Sequence, residues 1–272
     1  MAEWVQKKPP IWIRAQGTDA ETLAQSLKTQ HVRTEHHNLM PNALRIDRPL
    51  VNLYTLPQFK EGKFEIQDLA SQAIALCCRP KPGERWWEPC AGAGGKTLAL
   101  ASGMNNKGTV IAGDIRGYKL EDLRKRARRA GFSNIQCKEW DGKPLRKKQQ
   151  ANFDGVLVDA PCSCSGTWRR NPDAKWTTDP VEIETLSSLQ LEILKAASSG
   201  VKAGGTLVYA TCSLFSPENE HVISRFLDEE PDFMLDPFAS PVTGSMGDGM
   251  LRIYPWDGNC DAMFMARMKR KK

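Results

Sequence analysis

The chain lacks any uninterrupted hydrophobic run approaching the ~20 residues that a membrane-spanning helix needs, so no bilayer-crossing segment is expected. Its first ten residues, Met1 to Pro10, lack the apolar centre of a secretion signal, and a cytoplasmic protein is the expectation. Histidine is scarce: the four residues at 31, 36, 37 and 221 are not spaced around cysteines, and the eight cysteines contain no Cys-x-x-Cys pair. That pattern argues against a zinc centre, and the missing signal argues against disulfides, so reduced thiols and no metal are expected. Internal repeats and low-complexity tracts are also missing. What remains is a globular composition, 40% hydrophobic and 26% charged, long enough for one large domain with a small companion.

The net charge of +6 is concentrated. Arg116, Lys119, Arg124, Lys125, Arg126, Arg128 and Arg129 crowd one predicted helix; Lys143, Arg146, Lys147 and Lys148 fill the next loop. Arg169-Arg170 and the tail from Arg267 to Lys272 add two more clusters. Solvated helix faces would explain some of these, but four clusters together favour a polyanionic partner, most simply nucleic acid.

Residues 1 to about 60 read as a small α+β domain, with strands at Pro10 to Arg14, Ala43 to Ile46 and Leu50 to Tyr54 and a capped helix from Thr18 to Lys28. Its core is thin, which predicts that it leans on residues 61–272. There, strands at 85–88, 109–113, 134–137, 153–159 and 206–210 alternate with helices at 95–103, 117–130, 180–200 and 217–229. Met250 to Tyr254 and Ala262 to Met268 suggest a closing hairpin. This alternation predicts an α/β fold, a mostly parallel, doubly wound Rossmann-like sheet with an antiparallel closing strand.

Three strand ends hold the chemistry. Thr206 to Ala210, after the turn signal Gly204-Gly205, delivers Thr211-Cys212-Ser213. Phe153 to Asp159 ends in an acid and runs into Ala160-Pro161-Cys162-Ser163-Cys164. Between strand and helix, Cys90, Ala91, Gly92, Ala93, Gly94, Gly95 and Lys96 form a glycine-rich turn whose backbone amides can approach a ligand closely. A P-loop would need glycine where Cys90 stands, and a dinucleotide fingerprint fits poorly. S-adenosylmethionine fits better, because Asp114 ends the second strand where a ribose needs a carboxylate and Asp141 follows the third strand, placed to meet the adenine amine.

Two cysteines and an aspartate suit methylation at C5 of cytosine. That carbon is a poor nucleophile until a thiolate adds to C6, and the adduct then needs a carboxyl group at the N3 edge and a means of losing the C5 proton. Cys212 or Cys162 can serve as nucleophile, Asp159 can hold the ring edge, and the other cysteine can assist release.

From about residue 55 to 268 the chain resembles the Sun/Fmu (RsmB-like) family of RNA 5-methylcytosine methyltransferases. The resemblance lies in Phe64-x-x-Gln67-Asp68-x-Ala70-Ser71-Gln72, in Cys90-Ala91 to Lys96-Thr97, and in Asp114. It continues in Asp159-Ala-Pro-Cys162-Ser, Arg169-Arg-Asn-Pro-Asp173-x-Lys-Trp176 and Tyr209-Ala-Thr-Cys212-Ser. It implies that Cys212 is the nucleophile, that Cys162 aids release, and that Cys90 to Lys96, Asp114, Asp141 and Asp159 contact the cofactor. Departures are Ala93 for proline, Trp86 and Trp87 for aliphatic residues, Glu88 for aspartate, an added thiol at Cys164 expected to be a bystander, and a closing segment at 258–264 that matches loosely.

The implied partner is RNA, ribosomal first and transfer RNA second, met through the N-terminal domain by a monomer. The target base must leave its stack, which favours single strands and loops. The chain reads as a minimal or trimmed member. The rival readings are a non-catalytic RNA-binding ribosome-assembly factor on the same fold and a P-loop nucleotidase.

Overall fold

A computed structural model describes residues 2–47 and 49–272; Met1 and Arg48 lie outside the described residues. The first sheet is antiparallel: β1 (Ile11–Ala15), β2 (Glu35–His36), β3 (Ala43–Ile46) and β4 (Phe64–Ile66), ordered β2-β3-β1-β4. Alternation along β1 divides its side chains. Ile13 and Ala15 enter a local core with Leu23, Leu27 and Phe64, while Trp12 packs into the core of the larger sheet. Trp12 Nε1 also donates to the Asn259 carbonyl at 3.1 Å, which ties the small sheet to residues near the end of the larger one.

Leu50 to Tyr54 is not the strand expected. The Asn52 side chain accepts from the Tyr54 N–H at 3.0 Å and starts a 3-10 turn over Leu53–Thr55. Leu50, 92% exposed, has nothing to pack against. Instead β4 completes the small sheet from beyond residue 60.

The second sheet contains β5 (Arg85–Glu88), β6 (Thr109–Asp114), β7 (Ile135–Glu139), β8 (Phe153–Asp159) and β9 (Val201–Thr211), all parallel. Beyond it come β10 (Phe233–Leu235), the short ribbon β11 (Phe238–Ala239) and β12 (Met246–Gly247), then β13 (Met250–Ile253) and β14 (Met263–Arg270). The order is β10-β14-β9-β8-β5-β6-β7, with β14 antiparallel to β9 and β13 paired to β14. This is a Rossmann-like sheet with the antiparallel closing strand that the sequence predicts.

Its strands read as continuous apolar runs because both faces are covered. Leu157, Val208 and Ala210 face the helices Leu69–Cys78 and Gly95–Gly103; Val156, Val158, Leu207 and Tyr209 face Pro180–Ser198 and Glu220–Glu229. The paired tryptophans of β5 divide the same way. Trp86 fits because its neighbour across the strands is Gly155, where a Cβ would lie 2.3 Å from the indole. Trp87 stacks on Phe153 at 5.4 Å.

Gly204-Gly205 is not a turn before a strand but lies inside β9. The register slips there, Phe153 facing Val201 and Gly155 facing Thr206, and Gly204 takes the left-handed φ of +72° within the irregularity. The chain enters the parallel sheet at β5, builds outward through β6 and β7, and returns to β8 on the other side of β5. That reversal opens the crevice beside β5 and β8 in which ligands of such folds bind.

Candidate active site

The loops leaving β5, β6, β8 and β9 converge at this crevice. In the glycine turn, Gly92 (φ +54°) and Gly94 (φ +86°) are both left-handed. A Cβ at Gly94 would lie 2.4 Å from Leu123, so the helix Gly117–Arg129 packs directly on the turn, and Arg126 tightens it by donating to the Ala93 carbonyl at 2.7 Å. A Cβ at Gly92 would meet nothing within 4 Å. The turn is therefore braced behind and open in front.

Asp114, at the end of β6, accepts from the Gly92 N–H at 2.8 Å, and from the Arg116 backbone at 2.9 Å and side chain at 3.0 Å. Burial opposes its charge, but the Arg116 side chain and the Arg116 and Gly92 N–H groups outweigh burial and hold the carboxyl below its ordinary range. A fixed carboxylate beside an open glycine turn fits a nucleoside with a ribose diol, the adenosine of S-adenosylmethionine included. Asp141 lies beyond β7, exposed, and its carboxylate bonds Lys143 at 2.6 Å within its own turn. The structure does not bring it into the hydrogen-bonded group around Gly92.

A P-loop would aim Lys96 and Thr97 at phosphates and a metal. Here both are buried and committed to acids: Thr97 Oγ1 donates to Glu88, and Lys96 Nζ donates to Asp159 Oδ2 at 2.7 Å. Burial alone would lower the Lys96 pKa, but Asp159, through its charge and its hydrogen bond, outweighs burial and holds the ammonium cationic. Glu88 is pushed up to about 8, chiefly by burial, and is a neutral acid at pH 7.

Asp159 pairs with Ala210 across β8 and β9, so the segments that follow run side by side. They place Cys162 Sγ 3.4 Å from Cys212 Sγ. Behind the sulfurs, Glu218 is fully buried and bonds both loops. Its carboxylate accepts from the Ser163 N–H at 2.8 Å and hydroxyl at 2.6 Å, from the Ser213 hydroxyl, and from Gln190 Nε2 at 3.0 Å. Asn219 adds a bond to the Ser213 carbonyl at 2.9 Å, and the Gly166 N–H donates to the Cys212 carbonyl at 2.8 Å.

Cys164 brings a third sulfur; those of Cys162, Cys164 and Cys212 all lie within 4.8 Å of one another. The thiols titrate together. Hydrogen bonds to Cys162 and Cys164, with burial, raise Cys212 well above a free thiol. Hydrogen bonds from Cys162 and Cys212 bring Cys164 down, and Lys96 adds to that. The sequence brings Cys162 and Cys212 to adjacent strand ends, but Cys164, expected as a bystander, joins them.

Glu218 was also not visible as a functional residue. Ser216-Pro-Glu-Asn219 reads as a helix start, and only burial marks the acid as a clasp. The basic clusters need correcting as well. Arg169 is buried against the Cys260 carbonyl and Asn259, Arg170 pairs with Asp68 and Asp261, and Arg126 and Arg129 pair with the buried Glu65. The charges of these four arginines are matched within the fold by acids and carbonyls, Arg126 and Arg129 joining a helix to β4 and Arg169 and Arg170 joining loops. Arg128, Arg146, Lys147 and Lys148 remain exposed.

Residues 75–269 match the family described as 16S rRNA methyltransferase RsmB/F. The chain is 38% identical over 260 residues to the probable ribosomal RNA small subunit methyltransferase B of Synechocystis sp., covering 93% of this chain and 58% of that protein. It is 32% identical to the Bacillus subtilis protein of the same description, covering 98% of this chain and 61% of that one. The chain thus spans about three-fifths of the length of the curated relatives it matches. Among solved structures, that of PH0851 superposes with a TM-score of 0.92 at 34% identity, covering 99% of this chain and 61% of the other.

Proposed function

The chain belongs to the RsmB/F family of 16S rRNA methyltransferases, and from that premise we propose that it is the catalytic part of an S-adenosylmethionine-dependent RNA (cytosine-5)-methyltransferase acting on ribosomal RNA. One observation carries the reading: the 3.4 Å approach of the Cys162 and Cys212 sulfurs from adjacent strand ends. Two thiols at one point suit a reaction that adds a nucleophile to a pyrimidine and must then remove it. The names of the relatives favour ribosomal over transfer RNA.

Bound at the turn from Cys90 to Lys96 and at Asp114, S-adenosylmethionine supplies an electrophilic methyl group. Asp141 joins that site if it exchanges Lys143 for the adenine amine. Cys212 passes its thiol proton to solvent and, as thiolate, bonds to C6 of the flipped-out cytosine, and ring electrons shift toward C5 and N3. Asp159 has Oδ2 held by Lys96 and offers Oδ1 to accept from the cytosine amino group, while the buried ammonium behind it balances the charge that develops on the ring. Once C5 carries its methyl group, Cys162, its own thiol proton given up to solvent, takes the C5 proton as a thiolate. The C5–C6 double bond re-forms, the C6–S bond breaks, and Cys212 leaves as thiolate.

Residues 1–60 and the exposed Arg128, Arg146, Lys147 and Lys148 form the RNA-facing side. Every group in the scheme comes from one chain, so a monomer suffices. Incubation with ribosomal RNA and S-adenosylmethionine, read by bisulfite sequencing, should yield 5-methylcytosine. Cys162→Ala should accumulate a covalent protein–RNA adduct and Cys212→Ala should form none. The opposite adduct pattern inverts the two roles, and no 5-methylcytosine in any RNA class ends the proposal.

A further inference from the structure

Cys164 has no part in the reaction above, yet the fold places it with care. Its backbone sits in the left-handed region (φ +56°, ψ 21°), a conformation that costs a non-glycine residue about 1 kcal/mol or more. The turn aims its thiol inward, with Sγ 3.4 Å from the Cys162 carbonyl, even though the residue is on the exposed side of the site. The result is three sulfurs within 4.8 Å of one another.

Thiolates bound to a d10 cation at about 2.3 Å, in tetrahedral directions, have sulfur atoms about 3.8 Å apart. The trio meets that spacing within small side-chain rotations, and the open side at Cys164 leaves a fourth position for water. We propose that Cys162, Cys164 and Cys212 form a binding site for one soft, thiophilic divalent cation of the zinc and cadmium class. Each cation that enters bonds three sulfurs and displaces their remaining thiol protons to solvent. Lys96, held cationic beside Cys212, offsets the net negative charge of a three-thiolate complex. Because Cys212 is one ligand, an occupied site cannot attack a pyrimidine; the cation and the RNA base compete for the same sulfur.

Metal binding can be read without any methyl-transfer assay, so its failure is separate from a failure of the proposed function. Metal-free protein is titrated with Cd2+, following sulfur-to-cadmium charge-transfer absorption and the cadmium NMR shift, which reports the number of sulfur ligands. One equivalent should bind with a three-sulfur signature, and binding should tighten as pH rises. Cys164→Ser should weaken it about 10-fold or more. Cys164→Gly, which suits the left-handed backbone, should do the same with the fold secure. Unchanged affinity in both variants, or a signature of fewer than three sulfurs in the wild type, overturns the proposal.

Discussion

The two halves of the crevice are held in different ways. Behind the cysteines, Glu218, Ser163, Ser165, Thr211, Ser213, Gln190 and Asn219 bond only to one another and to backbone, and all but Ser163 are buried. At the glycine turn Asp114 is instead matched by a partner that reaches water, Arg116, with a side chain 54% exposed. A closed network fixes geometry, because each lost bond strands a buried group. An exposed partner can be traded for a ligand at little cost. The proposed reaction at two sulfurs needs the first arrangement, and the proposed exchange of a cofactor at the glycine turn needs the second.

The largest expected effect breaks the closed half. Glu218→Ala would leave the Ser163 N–H without its acceptor and the Gln190 amide with only the Pro161 carbonyl, at about 1 to 3 kcal/mol for each buried donor left unpaired. Urea denaturation should show a loss of several kcal/mol, with methyl transfer lost even at temperatures where the variant stays folded. A variant as stable and active as the wild type would show that the two cysteine loops hold themselves in place.

A second test asks how dry the wall between the halves is. Glu88 keeps its proton to about 8 when folded and would release it near 4.5 in the unfolded chain. Between those values the folded state binds more protons, so stability falls as pH rises from 5 to 8. Glu88→Gln stays neutral and can still accept from Thr97, so its stability should gain on the wild type across that window, by up to a few kcal/mol at pH 8. Parallel denaturation curves for the two proteins from pH 5 to 9 would mean that water reaches Glu88.

The parallel strands were legible because both faces of the sheet are buried, so Phe153 to Asp159 and Thr206 to Ala210 appear as short apolar runs. The cysteines, Asp159 and Asp114 were legible because each follows such a run directly. What stayed hidden depends on pairing at a distance. Nothing local to Arg169-Arg170 announces Asp68 and Asp261, which come from 102 residues before Arg170 and 91 after it, so the pair resembled an anion-binding cluster. Leu50 to Tyr54 carries strand propensity without a partner strand, and the Asn52 cap prevailed. Glu218 resembled a helix-start residue until burial assigned it to two loops.

The smallest expected effect sharpens the open half. If Arg116 is only a stand-in for a ligand at Asp114, then removing each partner should have unequal consequences. Asp114→Asn loses the charge that a ribose diol would bond while keeping the residue's shape, and should weaken S-adenosylhomocysteine binding about 10-fold, near 1.4 kcal/mol. Arg116→Ala leaves Asp114 its 2.8 Å bond from the Gly92 N–H and removes only a competitor, so affinity should change by less than about 3-fold, under 1 kcal/mol. Isothermal titration of both variants decides the matter. Equal losses would mean that Arg116 holds Asp114 in its binding position, and the glycine turn would then be as closed a structure as the cysteine clasp.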